Sequence, residues 1–175
     1  MPNTENGHNV ARLLAGAAKT VQSVRYCWLV TAPENGIQAR PMGRIASDAD
    51  ISDWTIRFVT NGRSRKAAEL DASADVTLIF QDDAKDASAV LSGQAALLAD
   101  EATFRRHWKD AYSVYFPTAE DRAAAAFIAV TVLRMELWIR GVTSEPFGLH
   151  ATVLERDGAG EWRLKPSPAL PEGRG

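Results

Sequence analysis

The chain has 175 residues, which is one ordinary domain by length. Apolar residues make up 46% and charged residues 24%, so a packed core is expected and a disordered or low-complexity chain is excluded. The formal net charge is -2, which argues against general nucleic-acid or anionic-membrane binding, and the single cysteine, Cys27, excludes an intrachain disulfide and a cysteine-based zinc site.

The first residues are polar through Asn9 and carry no apolar run of the secretory kind. The longest apolar stretch, 123–133, is far short of the roughly 20 residues a spanning helix needs. A soluble cytoplasmic protein is therefore expected, with residues 1–8 and 166–175 loose. Val10, Leu13, Leu14, Ala17, Ala18, Val21 and Val24 recur at three- and four-residue spacing and predict an amphipathic helix, with Asn9 as its N-cap.

The period then changes. Residues 26–32 are aromatic and β-branched and read as a strand. Pro33-Glu34-Asn35-Gly36 predicts a hairpin turn, and 37–45 the return strand. Pro41 requires an edge or a bulge there, because proline has no N–H for a ladder. An acidic turn over 47–53 leads to strand 54–60, a turn at Asn61–Ser64, a short helix over 65–71 and strand 76–81. Strand 87–98 follows, with Gly93 as a bulge signal. Asp100 is an N-cap, Pro117 a break, and 120–126 a second short helix. Strand 128–139 and a hairpin over 150–165, turning at Asp157–Gly160, complete the pattern. Strands at short spacing that do not alternate regularly with helices predict a mainly β, α+β antiparallel barrel with flanking helices, in one domain over 1–175.

The chemistry-bearing features are few. Arg57, Arg63, Arg65 and Lys66 form an acid-free cationic stretch. Within it Ser64, Arg65 and Lys66 stand where a strand turns into a helix, so free amides and cations suit a phosphate. A capped helix start with solvated cations explains the same pattern. Arg40-Pro41-Met42 reads as a strand edge facing a ligand, or as a barrel edge with an exposed arginine. The five tryptophans suit core or interface anchors. No histidine pair has zinc-ligand spacing, no serine sits in a nucleophile elbow, and Cys27 reads as a buried inert thiol.

Taken in order, Arg40-Pro41-Met42, the strand ending in Val59-Thr60, Ser64-Arg65-Lys66, Leu91-Ser92-Gly93-Gln94, Asp100, Trp108, Tyr115-Phe116-Pro117 and Glu136-Leu137-Trp138 resemble a known family. The chain is similar to the general stress protein branch of the pyridoxamine 5′-phosphate oxidase-like superfamily, over about residues 10–145. The resemblance implies a six-stranded antiparallel Greek-key split β-barrel and a homodimer with FMN between subunits. It implies that Arg40, Pro41 and Met42 line the flavin ring edge and that Val59 and Thr60 give main-chain contacts. Ser64, Arg65 and Lys66 would hold the phosphate, and Trp138 would approach from the late strand.

The implied activity is that of a flavin-dependent oxidoreductase of unknown substrate. The alternatives are a true pyridoxamine or pyridoxine phosphate oxidase, a non-enzymatic flavin carrier or sensor, and a deazaflavin enzyme. The oxidase has arginines beside its Leu-His pair; beside Leu149-His150 those places are Gly148 and Thr152, which leaves a phosphorylated vitamin without its grip. No side chain is an evident general acid or base, so no catalytic residue is named.

Overall fold

The computed structural model describes residues 4–34, 36–46 and 52–166. Asn35 of the expected hairpin turn, residues 47–51 of the acidic turn and the end of the tail from 167 lie outside the described residues. Helix α1 spans Thr4–Ser23, β1 Tyr26–Thr31, β2 Gln38–Gly43, β3 Thr55–Asn61 and α2 Arg65–Ala72. Strands β4 (Asp75–Asp82) and β5 (Ala87–Leu98) precede α3 (Glu101–His107). A 3-10 turn over Asp110–Val114 and α4 (Ala119–Ala123) lead to β6 (Ala125–Ile139), β7 (Thr152–Arg156) and β8 (Trp162–Lys165).

The strands are hydrogen-bonded in the order β2-β1-β4-β5-β6-β7-β8, with β3 on β6. The expected six-stranded count is thus corrected to eight. The extra two are the terminal hairpin, which adds to the same sheet because β6 is long enough for Arg134–Leu137 to pair with Thr152–Glu155. Among the described residues the path is not closed by a ladder. A single bridge, Arg44 with Phe58, links the end of β2 to β3. Pro41 stands opposite Trp28 on β2, the end strand of the path, as a proline requires.

The chain falls into two compact units, one of Met1–Val24, Phe80–Leu91 and Leu133–Gly175, the other of Arg25–Ile79 and Ser92–Val132. In the first, α1 buries Leu13, Ala17, Thr20 and Val21, one helical stripe. Gly16 belongs to that stripe because a Cβ there would lie 2.8 Å from Val142 Cγ1. The helix starts at Thr4, so Asn9 lies inside it and does not cap it; the polar residues before the apolar stripe hid the first turn.

The second unit is built on β3 paired antiparallel with β6. Ile56 stands opposite Val130 and Phe58 opposite Ile128, all essentially without exposure. Each such side chain contributes about 1.5–3 kcal/mol by leaving water. Residues 125 and 126, expected at the end of a helix, behave differently: Ala125 and Ala126 pair with Asn61 and Thr60. Sheet pairing overrides alanine's helical preference. Gly93 lies within β5, where a Cβ would sit 2.0 Å from the Thr131 carbonyl oxygen. The glycine therefore admits the β6 backbone, which explains it better than the expected bulge.

Of the five tryptophans only Trp54 is buried, and Trp28 is about half exposed. Cys27 is buried, and desolvation pushes its thiol up to about 12, which leaves it protonated and inert.

Candidate functional site

The second unit carries a cavity of about 540 Å³, within the range of small-molecule sites. Its walls come from five local structures and from Asp121 of α4. The start of β1 gives Arg25 and Tyr26, and the end of β2 gives Pro41, Met42 and Arg44. The end of β3 gives Val59, Thr60 and Asn61, and α2 gives Lys66. The segment before α4 gives Tyr112, Tyr115 and Phe116.

The turn from β3 into α2 is locally specified. The Arg63 amide donates to Asn61 Oδ1 at 2.8 Å, closing an Asx turn. Ser64 caps α2, its hydroxyl accepting from the Ala67 amide at 3.4 Å. Lys66 then falls on the cavity side, and its Nζ donates to Thr60 Oγ1 at 3.0 Å. An ammonium has three N–H donors, so two remain for a ligand. Burial, helped by the nearby Arg40 charge, holds the Lys66 pKa below the ordinary lysine value. The folded chain thus opposes this charge, and an anion in the cavity would relieve it.

The aromatic wall is held by stacking. Phe104 and Trp108 of the α3 segment lie face to face at 4.6 Å, and Trp108 meets Phe116 edge-on at 5.7 Å. Such pairs add roughly 0.5–1.5 kcal/mol each beyond burial. Arg122 ties the Pro117 break down, donating to the Phe116 and Pro117 carbonyls at 3.3 and 3.1 Å. Asp121, also on the cavity wall, accepts from the Thr118 amide and hydroxyl in the capping box of α4. Its pKa is lowered chiefly by the Thr118 hydroxyl.

Of the residues singled out from sequence, Pro41, Met42, Val59, Thr60 and Lys66 line this cavity together. Arg40, Ser64, Arg65 and Trp138 are not among its lining residues. Ser64 serves as the α2 cap. Trp138 lies on the stretch of β6 assigned to the other unit and is half-buried.

Arg40 and Arg65 both turn to one carboxylate. Arg40 Nη2 donates to Glu69 Oε2 at 2.6 Å and to Thr31 Oγ1 at 2.7 Å. Thr31 Oγ1 in turn donates to Glu69 Oε2 at 2.8 Å, and Arg65 Nε meets Glu69 Oε1 at 3.2 Å. Burial by itself would raise the Glu69 carboxyl, but the Arg40 and Thr31 hydrogen bonds and the two cations hold it below the ordinary value. Sequence reasoning missed Glu69. Its one local signal was the i,i+4 spacing from Arg65 on α2.

Among the described residues no group of three or more His, Cys, Asp and Glu side chains is placed to hold a metal ion. No described helix is long and apolar enough to cross a membrane.

With these features in place, the comparisons are specific about kinship. The chain belongs to the pyridoxamine 5′-phosphate oxidase-like family, whose model matches residues 15–151. No curated protein matches the chain. Among solved structures it is similar to a protein from Clostridium acetobutylicum related to general stress protein 26 of Bacillus subtilis. The two share 24% identity over 73% of this chain and 89% of that one, with a TM-score of 0.63. It is also similar to a pyridoxamine 5′-phosphate oxidase-related, FMN-binding protein from Nostoc punctiforme, at 14% identity, over 97% of this chain and all of that one, TM-score 0.66. A third is an FAD-binding protein from Mesorhizobium loti, at 15% identity over 69% and 90% of the two chains, TM-score 0.55. At these identities the likeness is one of fold.

Proposed function

We propose that the chain is one flavin-binding domain of a cytoplasmic homodimer, an oxidoreductase of the general stress protein kind with FMN as its cofactor. The observation that carries the reading is the cavity in which Pro41, Met42, Val59, Thr60 and Lys66 come together. The residues present fit such a group: apolar and aromatic walls suit a flat ring, and Lys66 has donors to spare for a phosphate.

In this assignment Lys66 meets the phosphate, with Ser64 and Arg65 beside it at the head of α2. Pro41 and Met42 border the ring, and Val59 and Thr60 offer main-chain groups. Bound FMN supplies the electron chemistry; the protein supplies binding and orientation. The chain's own contribution is a half-buried cation whose field is strengthened by leaving water, and walls that exclude solvent from the ring.

The test is a titration of purified apo protein with FMN, followed by absorbance and by flavin fluorescence. Quenching to one flavin per chain is expected, and a wild type that leaves FMN fluorescence unchanged sinks the reading. Light scattering at micromolar concentration is expected to show a dimer, whose interface should bury more than about 1,000 Å².

A further inference from the structure

We propose that Glu69 is a built-in competitor for the flavin phosphate, so that this chain holds a phosphorylated flavin loosely and exchangeably. The inference rests on the flavin reading above and concerns what that site does with its cations.

Three cations gather at the head of α2: Arg40, Arg65 and Lys66. Only Lys66 lines the cavity. The other two are turned onto Glu69, through an Arg40 contact of 2.6 Å and an Arg65 contact of 3.2 Å. The Arg40–Glu69 pair is largely withdrawn from water, with side-chain exposures of 15% and 10%. Such a pair is costly to break one partner at a time. Thr31 adds a donor to the same carboxylate oxygen that Arg40 uses, at 2.8 Å.

A phosphate monoester in the cavity would need what Glu69 already has. It is a dianion seeking charge-assisted hydrogen bonds, and arginine forks are its preferred donors. To take over the N–H groups that Arg40 and Arg65 turn onto Glu69 it must displace a carboxylate of comparable hydrogen-bonding power. With Glu69 in place the phosphate has Lys66 and only those arginine N–H groups the carboxylate leaves free, on cations whose charge Glu69 partly neutralises. In either case the phosphate adds less affinity than three cations would supply. The flavin ring and its walls then carry most of the binding, and the cofactor can leave.

The experiment compares FMN with riboflavin, which lacks the phosphate, by fluorescence titration on wild type, Glu69→Gln and Glu120→Gln. Glu120→Gln removes the same unit of charge from an exposed pair with Arg63, 3.4 Å apart. Glu69→Gln is expected to bind FMN about tenfold more tightly, the worth of one added charge-assisted contact, while riboflavin affinity stays within about twofold. Glu120→Gln is expected to leave both ligands unchanged.

Equal or weaker FMN binding by folded Glu69→Gln overturns the proposal. So does an equal gain for riboflavin, or the same gain in Glu120→Gln. Wild type alone gives a second readout should Glu69→Gln fail to fold. Its FMN affinity is expected to exceed its riboflavin affinity by less than about tenfold, and a larger ratio overturns the competitor role. If no variant binds either flavin, the functional reading falls and this inference with it. If FMN binds but Glu69→Gln shows no gain, the inference fails alone.

Discussion

Two carboxylates, one in each unit, are wired alike and live in different surroundings. Glu69 sits between Arg40 at 2.6 Å and Arg65 at 3.2 Å. Glu155, on β7, sits between Arg134 at 3.2 Å and Lys165 at 3.1 Å. The difference is water: Glu69 and Arg40 are 10% and 15% exposed, whereas Glu155 and its partners range from 36% to 50%. Solvent screens the β7 cluster and leaves it little energetic weight. At α2 neither Arg40 nor Glu69 can be lost without leaving the other poorly compensated away from water. A carboxylate between two cations is thus a surface decoration in one place and a structural commitment in the other.

Removing one arginine from each cluster should separate the two settings most. Arg40→Ala is expected to cost about 3 kcal/mol of stability, by stranding a carboxylate at a site with little water. Arg134→Ala is expected to leave the denaturant midpoint where it was. Equal losses from the two variants would show that exposure does not separate the clusters.

Next in size is binding. Lys66→Ala is expected to weaken FMN severalfold, down to about the riboflavin affinity, while riboflavin binding barely changes, because only the phosphate loses a charged donor. The same titration as a function of pH sharpens the point. The Lys66 pKa is lowered by burial and by Arg40, so its charge, and FMN affinity with it, is lost as pH rises through that lowered value. Lys66→Ala should lack this alkaline limb.

Acid separates the carboxylates more gently. A carboxyl held below its ordinary value contributes stability that is full above the unfolded value, 4.5 for Glu69, and is lost as pH falls through the folded one. Wild type is therefore expected to lose stability below about pH 4.5 more steeply than Glu69→Gln. Glu155 is also lowered, chiefly by Lys165, but in an exposed setting. Glu155→Gln is expected to follow the wild-type acid curve, the smallest effect of the series.

Much of the local structure was legible in the sequence. Strand 87–98 was bounded correctly, and Asp100 caps α3 as expected, accepting from the Thr103 amide at 2.8 Å. The terminal turn closes with Gly160 in a left-handed conformation and its amide on the Asp157 carbonyl. These features depend on residues close in sequence. The α1 start was lost because its first turn carries no apolar stripe. The cavity was half legible: the resemblance pointed to β2, β3 and α2, but Arg25, Tyr26 and Tyr112 reach it only through folding. Glu69 was missed for the same reason, since Arg40 is 29 residues and Thr31 38 residues away along the chain.

Pro41 has a consequence for how copies of this chain behave at high concentration. Its strand ends the hydrogen-bonded path, and pairing with β1 runs through it unbroken from Gln38 to Gly43. The donor it lacks is therefore one that would have faced outward, away from β1. An incoming strand seeking to extend the sheet meets a gap in the row it must read. The half-exposed Trp28 directly opposite would otherwise reward such stacking. A proline at this place thus removes one of the donors that edge-to-edge pairing between copies would need.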